Sequence, residues 1–196
     1  MLDGLLQLPT YNALMSGTPG PNTVMLAASG ANFGYRRSLP HILGANIGLF
    51  GLTLALCAGL GVVFQAYPRV HLVLKFAGAA YLVYLAWKLT GASVSEKGSR
   101  TRPLTFSEGA AFQLVNPKSW MRAATVATVF MPAHLSALQG ALLVSTVGMV
   151  VAFPVISLWT LFGVGIRRFL SSSQKLRAFN LTMAASLLVL AISMLF

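Results

Sequence analysis

Residues 123–166 run for 44 positions without a charged side chain. A helix needs about 20 apolar residues to cross the hydrocarbon core of a bilayer. The run therefore holds more than one crossing, or one crossing and part of another. Its natural break is Met131-Pro132-Ala133-His134, which is polar and helix-breaking. Residues 4–33, 38–68 and 178–196 are also uncharged, over 30, 31 and 19 positions. Residues 70–90 are apolar except for Lys75 and Lys88 near the ends, where long side chains snorkel. Only 9% of the chain is charged and 56% is hydrophobic, whereas a soluble domain carries roughly 25% charged residues. A soluble globular domain and a disordered chain are excluded. With one cysteine, Cys57, so is a disulfide-stapled secreted domain.

These runs predict an all-α polytopic membrane protein. Six transmembrane helices are expected at about 4–30, 41–65, 70–90, 106–131, 136–166 and 176–196. The chain reads as a single transmembrane domain over 1–196. The first helix is not a cleaved signal peptide: it lacks a basic n-region, carries Asp3 and is too long for an h-region. The net charge of +11 does not indicate nucleic-acid binding, because the basic residues lie between apolar runs rather than on one face. They set orientation instead. Odd-numbered loops hold Arg36, Arg37, Lys97, Arg100, Arg102, Arg167, Arg168, Lys175 and Arg177, while even-numbered loops hold Arg69. Odd loops then face the cytoplasm and both termini face out. A five-span arrangement with one re-entrant segment is the alternative and would move the N-terminus.

Two of the expected helices cannot be continuous. The first contains Gly17-Thr18-Pro19-Gly20-Pro21-Asn22, with two prolines and two glycines in five positions. Proline removes a backbone donor and clashes with the preceding turn, and glycine adds freedom. Carbonyls freed in hydrocarbon need partners, so such a break is tolerated only inside protein or along a wet cavity. It lies roughly 20 Å from the helix start at 1.5 Å per residue. The fourth helix contains Asn116-Pro117-Lys118 about ten residues in. Two halves result, about 1–90 and 106–196, joined by the polar linker 91–107. Each holds three helices, so the second is inverted relative to the first. Interrupted helices at matching places in inverted repeats point to a transport site near the membrane midplane.

Thr18-Pro19-Gly20-Pro21-Asn22, Gly34-Tyr35-Arg36-Arg37, Ala77-Gly78-Ala79-Ala80-Tyr81-Leu82, Leu85-Ala86-Trp87-Lys88 and Phe112-Gln113-Leu114-Val115-Asn116-Pro117-Lys118-Ser119-Trp120 follow one another along nearly the whole chain. Together they resemble the LysE/RhtB family of bacterial amino-acid exporters. Leu56-Cys57-Ala58-Gly59 and Tyr84-Leu85-Ala86-Trp87-Lys88 look most like its cysteine/O-acetylserine exporters. The resemblance implies an inner-membrane transporter that moves small amino acids or derivatives outward, driven by the proton gradient. No cofactor and no metal are expected, since the sequence has no clustered His and carboxylate ligands. Asn22 stands where many members carry an acid, and Arg122 falls in a segment that is usually apolar.

A zwitterionic substrate needs partners for a carboxylate and an ammonium. Half-helix N-termini offer N–H groups to the first, and unwound carbonyls accept from the second. The candidate binding residues are Thr18, Pro19, Gly20, Pro21, Asn22, Asn116, Pro117 and Lys118. Lys118 and Arg122 are four apart and share a helix face. Lys118 either binds the substrate carboxylate or snorkels to the interface. Candidates for gating or coupling are Arg122, Glu108 and His41. No acid lies inside a span, so proton coupling must use a lysine or His41. His41, His71 and His134 read as interfacial. Gly44, Gly48 and Gly78 mark close helix packing, within one chain or in a homo-oligomer. Trp120 is either an interfacial anchor or part of the cavity wall. Asn46 either reaches a break or satisfies a neighbour. An enzyme is excluded, since no H-E-x-x-H or similar cluster is present. The alternatives are a passive facilitator or channel for zwitterions and a non-transporting assembly protein.

Overall fold

A computed structural model of the chain describes residues 2–60, 68–91, 102–170 and 172–195, with side chains at 7–59, 72–90, 102–170 and 172–195. The side chains of Asp3, Arg69 and His71, and residues 92–101 with Glu96, Lys97 and Arg100, lie outside that description. Every regular element described is a helix. They are α1 (Leu2–Gly17), α2 (Pro21–Phe33), α3 (Tyr35–Ala55), α4 (Pro68–Gly91), α5 (Phe106–Val115), α6 (Pro117–Val129), α7 (Ala137–Arg167) and α8 (Ser173–Leu195). A wider turn at Leu56–Leu60 continues α3, with Gly59 at φ 109°. Tyr35–Gly59, Leu72–Thr90, Ala137–Arg167 and Ser173–Leu195 are each long and apolar enough to cross a membrane. The chain is a multi-pass membrane protein.

Both expected breaks are present. α1 and α2 are separated at residues 18–20, and α5 and α6 at Asn116. Pro21 and Pro117 each sit at the start of the second half-helix, where the missing N–H would have no partner anyway. Pro9, Pro40 and Pro154 lie inside continuous helices. The boundary between the first and second expected helices differs from the sequence reading. α3 begins at Tyr35, not near 41, because Gly34 alone makes the turn, at φ 80°. Arg36 and Arg37 therefore lie in the first turn of α3. Thr105 caps α5 and Ser136 caps α7, each by accepting from the backbone N–H three residues on.

The packing pairs the two halves. α3 lies against α5 and α6, and α7 lies against α1 and α2; α3 also meets α7, and α4 meets α8. Glycines set these approaches. A Cβ at Gly44 would strike the Phe106 carbonyl, and one at Gly48 would lie 2.7 Å from Ala110 Cα. A Cβ at Gly78 would meet the Val115 carbonyl. α2 and α7 interlock: Gly30 faces the Thr160 carbonyl, and Gly163 faces that of Ala27. Small residues bring backbones together where lipid gives no hydrophobic drive for association. Large apolar side chains face outward as well as inward, and polar ones are found inside. Trp87, Leu158 and Val189 are exposed, whereas Asn12, Gln113, Asn116, Arg122 and Asn180 are buried. Several polar groups inside are paired across helices. Asn32 and Asn180 exchange amide hydrogen bonds of 2.8 and 3.0 Å, and the Ser29 and Ser38 hydroxyls meet at 2.7 Å.

Candidate functional site

The two breaks meet, and Lys118 joins them. Its Nζ donates to the Thr18 carbonyl at 2.6 Å, to Thr18 Oγ1 at 2.7 Å and to the Pro19 carbonyl at 3.3 Å. The two carbonyls are ones that the end of α1 leaves without an intrahelical donor. They form the negative end of the α1 dipole, so a cation belongs there. Gly20 makes room: a Cβ there would lie 3.0 Å from Lys118 Cδ. Beyond the break, Thr23 Oγ1 accepts from the Gly20 N–H at 2.8 Å and donates to the Gly20 carbonyl at 2.9 Å. The second break is closed by the same logic. Asn116 Oδ1 accepts from the Lys118 N–H at 3.1 Å, and the Trp120 indole donates to the Leu114 carbonyl at 2.7 Å.

One turn further along α6, Arg122 is buried, with 6% of its surface exposed. Nε and Nη2 donate to Asn12 Oδ1 at 2.9 and 2.6 Å. Nη1 donates to Ser16 Oγ at 2.9 Å, and Nη2 to the Gly148 carbonyl at 3.2 Å. Asn12 and Ser16 are four apart on α1, so one face of that helix holds the guanidinium. Every acceptor of Lys118 and Arg122 is neutral. The ion pair among the described residues is Arg102–Glu108, at 2.6 Å. A buried guanidinium without a counter-ion carries a desolvation penalty of several kcal/mol.

Both cations line a cavity of about 40 Å³, roughly the volume of three waters. Ser16, Gly20, Asn22, Asn46, Gln113, Asn116 and Ser119 line it too. The Ser119 hydroxyl donates to Gln113 Oε1 at 2.7 Å, and Gln113 Nε2 to the Gly109 carbonyl at 3.0 Å. Asn46 Nδ2 donates to the Met149 carbonyl at 3.1 Å. Asn46 Oδ1 and Asn22 Oδ1 are buried and have no hydrogen-bond partner. The cavity thus presents two cationic donors on α6 and two unused acceptor oxygens on α2 and α3.

Of the residues singled out from sequence, Gly20, Asn22, Asn116, Lys118 and Arg122 line this cavity. Thr18, Pro19 and Pro117 are exposed, and the first two act as partners of Lys118. Glu108 lies elsewhere, at the start of α5, where it accepts from the Thr105 N–H at 2.7 Å and from both Arg102 Nη groups. The carboxylate raises the Arg102 guanidinium above its ordinary value by accepting those bonds. His41 does not face outward: it is 1% exposed, packed where α3 crosses Gly109 of α5. Trp120 lines a groove with Gly48 and Leu52 rather than the cavity. Asn12, Ser16 and Gln113 were not anticipated. Their signal in the sequence is a polar side chain at mid-span, which is costly in lipid and marks an inward face.

The profile of the LysE type translocator family matches residues 13–196. The cysteine/O-acetylserine efflux protein of Escherichia coli O1:K1 is 35% identical over 132 residues, covering 66% of this chain and 67% of the relative. The proteins of the same name from Escherichia coli strain K12 and Shigella flexneri serotype 5b are 34% identical over the same shares. No solved structure matches the chain.

Proposed function

The chain belongs to the LysE type translocator family, and on that premise we propose that it exports small amino acids or their derivatives, cysteine and O-acetylserine being the compounds its relatives' name points to. It is a membrane transporter and not an enzyme. The observation that carries the reading is the complementarity of the cavity. Lys118 and Arg122 offer donors to a carboxylate, and the unpartnered Asn22 Oδ1 and Asn46 Oδ1 accept from an ammonium. At about 40 Å³ the cavity holds water but not a whole amino acid, so substrate entry requires the surrounding helices to part. Lys118 gives that motion a trigger. A carboxylate that draws Nζ away from Thr18 and Pro19 releases the tie between the two breaks.

The surrounding architecture belongs to the same proposal. α1–α2 and α5–α6 each form one interrupted span, giving six in all. Repeats of about 1–90 and 106–196 are inverted, joined by the linker 91–107 in a single transporter domain. The exchange of α1, α2, α3, α4 for α5, α6, α7, α8 converts the observed pairs α3–α5 and α2–α7 into the observed pairs α1–α7 and α3–α6, which supports the repeat. The basic residues favour an inner-membrane protein with both termini outside, and the proton gradient drives the outward step.

Initial efflux of O-acetyl-L-serine from loaded proteoliposomes tests this reading. Lys118→Met is expected to lower the rate about tenfold or more, since a hydrogen bond to a charged group contributes about 1.5–3 kcal/mol. Unchanged efflux removes Lys118 from the site. Collapsing the pH gradient should slow wild-type efflux; indifference to it makes the protein a passive facilitator.

A further inference from the structure

A second cavity lies at the end of the bundle where α2 finishes and α5 begins. Its volume is about 60 Å³, and its lining shares no residue with the cavity between the breaks. His41, Lys88 and Arg102 line it, with Met25, Leu85 and Leu104 as apolar wall. His41 is 1% exposed, yet neither ring nitrogen has a hydrogen-bond partner. Leaving a buried polar group unpaired costs about 1–3 kcal/mol. The other polar groups around it are already satisfied: Ser29 by Ser38, and Asn32 by Asn180. His41 lines the cavity while its ring nitrogens have no partner among the described residues, so a ligand seated there is the candidate partner.

Charge says what kind of partner. Lys88 and Arg102 stand at this cavity with one described carboxylate nearby, Glu108, which both Arg102 Nη groups already occupy. One positive charge is left over. We propose that this cavity is a second binding site, selective for a small carboxylate, with His41 donating a ring N–H to the carboxylate and Lys88 supplying the counter-charge. The apolar wall covers the short carbon body. Roughly four to six waters fill the same volume, so an acetate-sized group fits and a large anion does not. The carboxylate is either that of the exported substrate on its way from the cytoplasm or that of a separate modulator. The first choice rests on the export reading; the site itself does not.

Saturation-transfer NMR with acetate on the full chain in lipid nanodiscs tests the site. Acetate is expected to give a transfer signal that falls about tenfold in His41→Leu and in Lys88→Gln, as the loss of a charge-assisted bond implies, and persists in Lys118→Met. Lys88 is half-buried at the rim, so its variant reads the site even where His41→Leu fails to fold. A signal that survives in Lys88→Gln and in folded His41→Leu overturns the proposal. So does a signal lost equally in Lys118→Met, which would locate acetate between the breaks. O-acetyl-L-serine that displaces acetate, with its efflux slowed in Lys88→Gln, identifies the ligand as substrate in transit. Acetate binding that depends on His41, with no O-acetylserine export by the wild type, upholds the site and sinks the export reading.

Discussion

Arg122→Gln is expected to lower export about 10- to 150-fold while the protein still inserts and folds. The range is the 1.5–3 kcal/mol of a hydrogen bond to a charged group, at tenfold per 1.4 kcal/mol. Two opposing terms decide that stability changes little. The substitution removes bonds to Ser16 and the Gly148 carbonyl, which costs about 1–3 kcal/mol for each group left unpaired. It also removes a buried guanidinium whose acceptors are all neutral, and with it a desolvation penalty of several kcal/mol. Glutamine keeps one donor for Asn12 Oδ1, so the α1–α6 contact persists. Arg122→Lys retains the charge but not the planar fork that spans Asn12 and Ser16, and should fall between the two. Efflux rates at equal membrane abundance, alongside thermal unfolding in detergent, measure both effects. A Gln variant that exports at more than about half the wild-type rate, far outside the range of a lost charged hydrogen bond, shows that the guanidinium does not meet substrate.

Gly163→Leu should leave almost no folded protein in the membrane. A Cβ at that position falls on the Ala27 carbonyl and lies 3.0 Å from Ala31 N. Backbone cannot move aside as a side-chain tip can, so α2 and α7 must separate. Overpacking costs typically 1–3 kcal/mol, and here about 3 kcal/mol or more is expected because the contact is with main chain. The same separation exposes the Gly30 contact with Thr160. Gly51→Leu is the control. Nothing lies within 4 Å of a Cβ there, so its cost should stay within about 0.5 kcal/mol, the usual range for an unencumbered surface site. The two variants are compared by monodisperse yield after detergent extraction. Equal yields would mean that the α2–α7 interlock contributes little to the fold.

Much of the backbone plan is written in proline, glycine and uncharged length. Pro21 and Pro117 mark the starts of α2 and α6, and the Met131–Pro132 region separates α6 from α7. The single-residue turn at Gly34 was less legible: the second helix is expected from about 41, yet α3 already begins at Tyr35 and carries Pro40 inside it. The rotation of each helix about its axis was less accessible. In water a 3.6-residue apolar stripe reveals the inward face. In lipid the outward face is apolar too, and the stripe vanishes. The link from Arg122 to Asn12 spans 110 positions of sequence and depends on that rotation. The same cause hid the burial of His41. Near the end of an apolar run it reads as interfacial; only the crossing of α3 over Gly109 encloses it. Lys118 was legible as a group of interest, but its grip on Thr18 depends on the two breaks meeting.

A cavity whose two cations answer only to neutral oxygens also responds to voltage. An elementary charge that crosses the full membrane field exchanges about 2.3 kcal/mol per 100 mV. α6 carries Lys118 and Arg122 together, so any tilt that moves it through part of the field does electrical work on both. With the cell interior negative, that work draws the empty cavity toward the cytoplasm. On the proposed export reading with odd loops inside, the resting potential would favour the cytoplasm-facing state, a bias set by fixed charge on α6 rather than by a titrating acid.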